Sequence, residues 1–402
     1  MNERLIVKSF GPVKDLDIVF KKVTLFIGDQ GSGKSCVAKL FSMFKWLEKA
    51  LITRKYSLDY FEKYIDARFK KTLCAYHRID NFFNDEETYL FYSGQLYDFE
   101  YEKKNFHVTD KKTTFEGLPK IMYVPAERII LSSAEKKLKT FEGLPENNMT
   151  FNQSFWESKD RFKDGYKLPF GNLEYKYDTL NDISFIYGPG YKVRLTEASS
   201  GIQSSLSICM VSDHLNNIVL SGKDRPLSVD ELQKLQKDIS KIMDDRNLSD
   251  TLKEILIKRL SAQTRYDSFV NIVEEPELSL FPESQLEVLK LLCKVNQSNP
   301  NNKLVITTHS PYSLAIMNTL IMAGNVHENE QSKLAASNII SNEYCIKPGT
   351  LAAYRLNPNS DSYCKSILDQ GTLMISKNDL DSASDSIMRT FNSLYRLYVK
   401  TR

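Results

Sequence analysis

Gly28-Asp29-Gln30-Gly31-Ser32-Gly33-Lys34-Ser35 fits the spacing G-x-x-x-x-G-K-[ST]. Glycines at such a turn let backbone N–H groups close on phosphate oxygens, where side chains would block them. A helix starting at the turn adds the positive end of its dipole. In this pattern Lys34 is expected to reach the β- and γ-phosphates of ATP, and Ser35 to ligate Mg²⁺. The expected nucleotide-contacting run extends from Gly28 through Cys36. A chance glycine turn is the competing reading, and the residues on either side weigh against it.

A phosphate loop needs a carboxylate on the metal side and a base for the attacking water. Residues 269–277, Phe-Val-Asn-Ile-Val-Glu-Glu-Pro-Glu, offer both. The run is apolar enough for a central strand, and its acids begin where it ends. In open α/β sheets, ligands collect at the carboxyl ends of strands. Glu274 is the candidate Mg²⁺ carboxylate, and Glu275 the candidate base. His309 ends a second apolar run, in Thr307-Thr308-His309-Ser310-Pro311. There it is expected to contact the γ-phosphate and sense its loss. A fourth element is Ala198-Ser199-Ser200-Gly201-Ile202-Gln203 at a helix start. Small residues at a helix N-terminus make an anion site; taken alone the segment reads better as an ordinary serine cap, and its place among the other motifs favours the anion site. A single phosphate loop has no use for a second anion site, but two copies facing head to tail do.

These residues need strands and helices to hold them. Residues 4–8, 16–20 and 23–27 alternate or concentrate apolar side chains and suggest a small meander leading into the loop. Residues 36–46 read as the helix after it. Residues 41–75 continue a helical, mildly basic pattern whose interspersed acids indicate a solvated face. Residues 87–109 are rich in Tyr and Phe and read as antiparallel strands. Residues 121–124 are a buried-strand candidate that ends at Pro125-Ala126-Glu127-Arg128. Residues 130–180 read as a loop-rich excursion, and 199–215 as a second helix. In 217–265, Ser228 and Glu231 form a capping box. Leu232, Leu235, Ile239, Ile242 and Met243 follow as one stripe, expected to pack on the main body. Residues 269–273, 282–295 and 303–308 form a β-α-β unit with parallel strands. A further helix follows Ser310, then short strands at 344–346 and 352–356, and a last helix near Asn378.

The chain has 402 residues, 42% of them hydrophobic and 26% charged, with a net charge of +3. That charge is too small to imply nucleic acid by itself. The six cysteines form no C-x-x-C pair, which fits free thiols in a reducing cytosol. Residues 1–6 carry no signal-peptide apolar region, and no run approaches a membrane span. A cytoplasmic protein without a membrane partner is the expectation.

Along the chain the phosphate loop is followed by Ser-Ser-Gly-Ile-Gln, Val-Glu-Glu-Pro-Glu and Thr-Thr-His-Ser-Pro, and in that order the four motifs resemble the ABC-type ATPase heads of the structural-maintenance, Rad50 and OLD-like group. The resemblance implies an α/β P-loop NTPase fold with a mixed sheet, an antiparallel β lobe and a helical insertion. One domain would span 1–402, with an N-terminal lobe at 1–130, a loop-rich segment and signature helix at 131–216, the insertion at 217–265 and a C-terminal lobe at 266–402. It implies Walker A at 28–35, signature residues Ser200, Gly201 and Gln203, Walker B at 272–275, a D-loop at 278–280 and a switch at His309. It also implies a homodimer enclosing two ATP molecules, with Ser200 and Gly201 acting across the interface. Phe10 lies in the segment such heads use for adenine, although an interior Phe reads better.

Gly-Pro-Val near the start, Val-Pro-Ala-Glu-Arg and Ala-Ser-Ser-Gly-Ile-Gln look most like stand-alone ATPases of bacterial anti-phage systems of the PARIS and Septu type. Those work with a separate nuclease or toxin and answer a phage trigger. The alternative within the group is a DNA-binding repair ATPase. Three departures matter. The Walker B acid is Glu274 where Asp is usual, the signature lacks paired glycines, and no heptad run is long enough for a coiled-coil arm. The Q-loop glutamine is not placed. Asp379-Leu380-Asp381 superficially fits an appended Toprim nuclease, but Asn378 reads as a helix start whose first turn favours acids.

Overall fold

The computed structural model describes residues 3–53, 55–57, 60, 65–113, 117–132, 146–376 and positions 388, 391, 392 and 394. Strands β1 (Glu3–Phe10) and β2 (Val13–Phe20) pair antiparallel, with Leu5, Val7, Leu16 and Ile18 buried and the alternate charged residues outward. Strand β3 (Val23–Gly28) is buried along its first five residues. It is not the third strand of a meander. A run without a solvent face belongs in a sheet covered on both sides, and β3 joins such a sheet.

The loop after β3 leads into α1 (Lys34–Ile52), which takes in the helix expected at 36–46 and ends within the helical pattern of 41–75. Its residues Val37, Phe41, Phe44, Leu47 and Leu51 are buried. A π-helical stretch, Ile65–Cys74, precedes the aromatic strands β4 (Tyr89–Ser93), β5 (Tyr97–Glu102) and β6 (Asn105–Asp110). These join the first hairpin in a five-stranded antiparallel sheet of order β2-β1-β4-β5-β6. Phe10 is fully buried there, edge-on to Phe82 and Phe83, so it is an interior residue.

Strand β7 (Leu118–Val124) and a short helix α2 (Arg128–Ser132) come next. The expected excursion at 130–180 instead contains α3 (Glu146–Arg161) and the strands β8 (Tyr166–Lys167) and β9 (Glu174–Asp178). Polarity hides that helix in the sequence: its buried face mixes Phe151, Phe155 and Trp156 with Asn148, Asn152 and Ser158. Strands β10 (Ile183–Gly188) and β11 (Tyr191–Arg194) complete a four-stranded antiparallel sheet, and α4 (Ser200–Leu220) follows.

Helices α5 (Val229–Asp244) and α6 (Asp250–Ala262) form the insertion. The Ser228–Glu231 capping box is present in both directions. The α5 stripe departs from expectation: no α5 residue is fully buried, and Leu232 and Met243 are exposed. Helix α5 packs chiefly on α6, while Leu235 and Ile242 of its stripe line clefts shared with Thr53, Leu51 and Leu96 of the main body.

Strand β12 (Tyr266–Glu274), α7 (Pro282–Gln297) and β13 (Lys303–Thr308) form the expected parallel unit. Then come α8 (Pro311–His327), α9 (Lys333–Ser337), β14 (Leu351–Leu356) and β15 (Cys364–Ser366). Residues 344–346 are not a strand. A 3₁₀ turn, Asn342–Tyr344, leads to Ile346, which bonds Leu320 of α8 instead of a sheet neighbour. Asn378, Asp379 and Asp381 lie outside the described residues.

The central sheet has the order β15-β14-β3-β13-β12-β7, parallel except for β15. It is therefore a mixed α/β sheet. Val23, Leu25, Phe269 and Ile306 face one hydrophobic core with α3, α4, α7 and α8. Phe26, Val270, Ile272 and Val305 face the other, with α1 and the five-stranded sheet. The parallel pairing brings the carboxyl ends of β3, β13 and β12 to one edge.

Candidate functional site

The turn at 28–33 is built for close approach. A Cβ on Gly28 would sit 2.3 Å from the Leu356 carbonyl oxygen of β14. Gly33 caps α1 with φ 91°, a conformation that disfavours any other residue, and a Cβ there would meet the Tyr363 hydroxyl at 2.6 Å. Asp29, Gln30, Gly31 and Ser35 are exposed, while Ser32 is buried. Cys36 is buried, and burial pushes its thiol up to about 12, so only its backbone is available. The Tyr363 hydroxyl donates to the Ser32 carbonyl, so the β14–β15 hairpin braces the turn.

Lys34 curls back over this turn. Its ammonium donates to the carbonyls of Gly28 at 2.7 Å and Asp29 at 2.8 Å. Burial lowers its pKa to about 8, against the opposing pull of Glu275 and Asp29. Its Nζ also lies 3.5 Å from Nδ1 of His309, whose Nε2 lies 3.4 Å from Oε1 of Glu275. Lys34, His309 and Glu275 thus form a chain across the ends of three neighbouring elements. An Nε2–H tautomer suits both contacts, with Nδ1 accepting from the ammonium.

Glu274 is 4% exposed. One carboxylate oxygen accepts from the Ala126 N–H at 3.2 Å, and the other is buried without a hydrogen bond. Burial and this neighbouring carboxylate hold the Tyr123 phenol well above its ordinary pKa. Glu275 has φ 43°, a strained conformation for a residue with a Cβ. It is held there from both sides. Its N–H donates to the Thr307 carbonyl at 2.8 Å, and its own carbonyl accepts from the Arg128 guanidinium.

Arg128 and Glu277 are the two residues that spacing did not single out. Arg128 is fully buried, and burial lowers its guanidinium to about 10 against the pull of Glu277, Glu274 and Glu275. It donates to the carbonyls of Pro125, Glu274 and Glu275 and to the Ser204 hydroxyl at 2.9 Å. One side chain therefore joins β7, the end of β12 and α4. Glu277 accepts from Thr308 Oγ1 at 2.7 Å and from the His309 N–H at 2.8 Å. Gln285 completes the cradle, bridging the Leu280 carbonyl and the Ser310 hydroxyl. The only sequence signals were an arginine just after a buried strand and a third acid after Pro276.

Ser200 is exposed at the first turn of α4, and Gly201 packs on the 278–280 turn. A Cβ on Gly201 would meet the Ser279 carbonyl oxygen at 2.4 Å. Among the described residues, no hydrogen bond joins Ser200 or Gly201 to the 28–35 turn of the same chain. The Gln203 side chain turns back on its own segment. Its buried amide donates to the carbonyls of Leu195, Thr196 and Ala198 at 3.0, 3.2 and 3.0 Å, so it staples the turn.

No His/Cys/Asp/Glu cluster that could hold a metal alone occurs among the described residues. Mg²⁺ is usually bound by one or two carboxylates plus substrate phosphates and waters. The orphaned Glu274 oxygen and the exposed Ser35 hydroxyl fit that donor set. The six cysteines are free. No described helix is long and apolar enough to cross a membrane.

No protein-family model matches the chain. No curated protein matches it either. Solved structures do. One is an SMC head domain from Thermotoga maritima, at 14% identity and TM-score 0.33, covering 78% of this chain and 91% of that one. Another is an Smc head domain from Pyrococcus furiosus bound to the C-terminal domain of ScpA, at 12% identity and TM-score 0.34, with the same coverage. A third is a dimeric ATP-binding cassette bound to ADP and Pi after hydrolysis, at 11% identity and TM-score 0.26, covering 78% of this chain and 90% of that one.

Proposed function

We propose that this chain is a Mg²⁺-dependent ATPase of the ABC type that closes as a homodimer around ATP. The observation that carries the reading is the Lys34–His309–Glu275 chain, with links of 3.5 and 3.4 Å. It connects a phosphate-binding lysine to a carboxylate placed to take a proton. On binding ATP, the Lys34 ammonium exchanges the Gly28 and Asp29 carbonyls for phosphate oxygens. Glu275 orients a water, whose oxygen bonds to the γ-phosphorus as the bond to the bridging oxygen breaks, and the carboxylate takes the water's proton. His309 holds Glu275 in place and registers the γ-phosphate. Bound Mg²⁺ would neutralise phosphate charge, held by Glu274 and Ser35. The exposed Ser200 and the 201–279 contact support a signature face that meets a second copy's nucleotide.

The finer reading is a sensor subunit of an anti-phage system, whose dimer opening releases or activates a separate nuclease or toxin. Its support is the motif resemblance and the α5–α6 insertion, whose exposed Leu232 and Met243 offer a surface to such a partner. Purified protein tests the first reading: ATP turnover that survives Lys34→Ala would sink it. Phage plating with the chain and its neighbouring reading frame tests the second, and protection unaffected by Lys34→Ala counts against ATP control of the effector. Salt-dependent DNA binding by the ATP-loaded protein would instead favour a repair ATPase.

A further inference from the structure

A cavity of about 460 Å³ lies between α1, the 65–74 stretch, β7 and the start of α3, away from the phosphate loop. That volume is within the ~300–1,000 Å³ typical of small-ligand sites. Its walls carry Lys49 from α1, Lys120 from β7, and the rings of Trp46, Tyr56 and Tyr76, with the Lys55 ammonium 5.0 and 5.7 Å from the Trp46 and Tyr56 centroids. Among the described residues, neither Lys49 nor Lys120 pairs with a carboxylate or donates a hydrogen bond. Instead both ammoniums approach one ring, Tyr266, at 4.4 and 5.3 Å from its centroid. The nearest guanidinium, Arg225, is paired with Glu231 at 2.9 Å. Glu146 is the one carboxylate on the lining among the described residues.

Two like charges held together without an ion-paired carboxylate destabilise a fold. Glu157 favours the Lys120 ammonium and Glu231 that of Lys49, but neither acid forms an ion pair with them. Burial, then Lys120 and Arg225, lower Lys49 to about 7, with only Glu231 opposing. The arrangement has a physical purpose if an anion enters between the two lysines. Three aromatic rings on the same walls select a planar group beside that anion.

We propose that this cavity binds a nucleoside monophosphate, with its phosphate between Lys49 and Lys120 and its base among Trp46, Tyr56 and Tyr76. The ligand would rest on the two elements that also carry Lys34 and lead to Arg128. The inference does not depend on the ATPase reading.

The test uses the full chain carrying Lys34→Ala, so that the phosphate loop is weakened. Calorimetry with AMP, adenosine and inorganic phosphate should give saturable AMP binding at least roughly tenfold tighter than either fragment. Lys49→Met and Lys120→Met should each weaken AMP by about tenfold or more, with the thermal midpoint unchanged or raised. With Trp156→Phe leaving Trp46 as the only tryptophan, AMP should quench the remaining emission. The proposal is overturned by absent AMP saturation, by phosphate binding as tightly as AMP, by binding indifferent to both lysine variants, or by silent Trp46 emission during binding.

Discussion

His309 reaches Glu275 across the boundary between two neighbouring parallel strands, Nε2 to Oε1 at 3.4 Å. The contact depends on Glu275 leaving the extended conformation just after β12, with φ 43°. Backbone strain of about 1–3 kcal/mol persists only where the surroundings fix it. Here Thr307 and Arg128 hold the Glu275 backbone, and Glu277 holds His309 from the far side. The pair is therefore positioned before any ligand arrives.

Glu275→Gln keeps an acceptor for His309 and removes the base. Turnover should fall about 10²–10⁴-fold while ATP binding is retained. Size-exclusion chromatography with ATP should then show a persistent dimer. Turnover within a few-fold of the parent would place the base elsewhere.

Lys34 gives the site a pH dependence. Its pKa is about 8 in the free protein, lowered chiefly by burial, while phosphate oxygens would favour the ammonium. ATP affinity should therefore fall as pH rises through about 8, by at most roughly tenfold per pH unit. Proton uptake on binding, measured by calorimetry in buffers of different ionisation heat, checks this. Stability has the opposite sense. Because the folded pKa lies below the unfolded value, this lysine's destabilising contribution is full below about 8 and fades as pH rises towards the ordinary value of 10.5.

Arg128→Lys keeps the charge but loses the fork that spans three carbonyls and Ser204. We expect turnover to drop by roughly 10-fold or more, with a smaller change in ATP affinity, because the lesion lies behind Glu275 and α4 and not at the phosphates. Equal losses in both would assign Arg128 to the fold alone.

Gly201→Ala places a Cβ 2.4 Å from the Ser279 carbonyl oxygen, so α4 and the 278–280 turn must separate. ATP binding to the monomer should survive. ATP-dependent dimerisation, followed by light scattering, should weaken. An unimpaired dimer would remove this contact from the interface.

Lys45 is buried between Glu3 at 2.7 Å and Glu48 at 3.1 Å, and Lys303 holds the other Glu3 oxygen at 2.8 Å. Lys45→Met leaves those acids buried without it and should cost about 3–5 kcal/mol in denaturant unfolding. Burial pushes the Glu3 carboxyl up, but Lys45 and Lys303 hold it down to about 2. Its stabilising contribution is thus complete above the ordinary value of 4.5 and lost as pH falls towards 2. Acid unfolding curves of the parent and Lys45→Met should converge at low pH.

The phosphate-loop spacing, the apolar runs ending at Glu274 and Thr308, and the helix starting at Ser200 are local patterns. Their elements formed where the residues alone implied, because loop glycines, buried strands and caps act over a few residues. Residues 146–161 do not read as a helix because their buried face is largely polar, and 344–346 form no strand because contact with α8 replaces strand pairing. Contacts between distant segments follow a different rule. Arg128 spans β7, β12 and α4, Glu277 pins the start of the turn after β13, and Tyr363 braces Ser32. No spacing encodes those, because each depends on which strands become neighbours in the sheet. The sequence by itself determined which residues carry charge and phosphate-binding geometry. Only the tertiary structure decided that β13 lies between β3 and β12, so that His309 stands between Lys34 and Glu275.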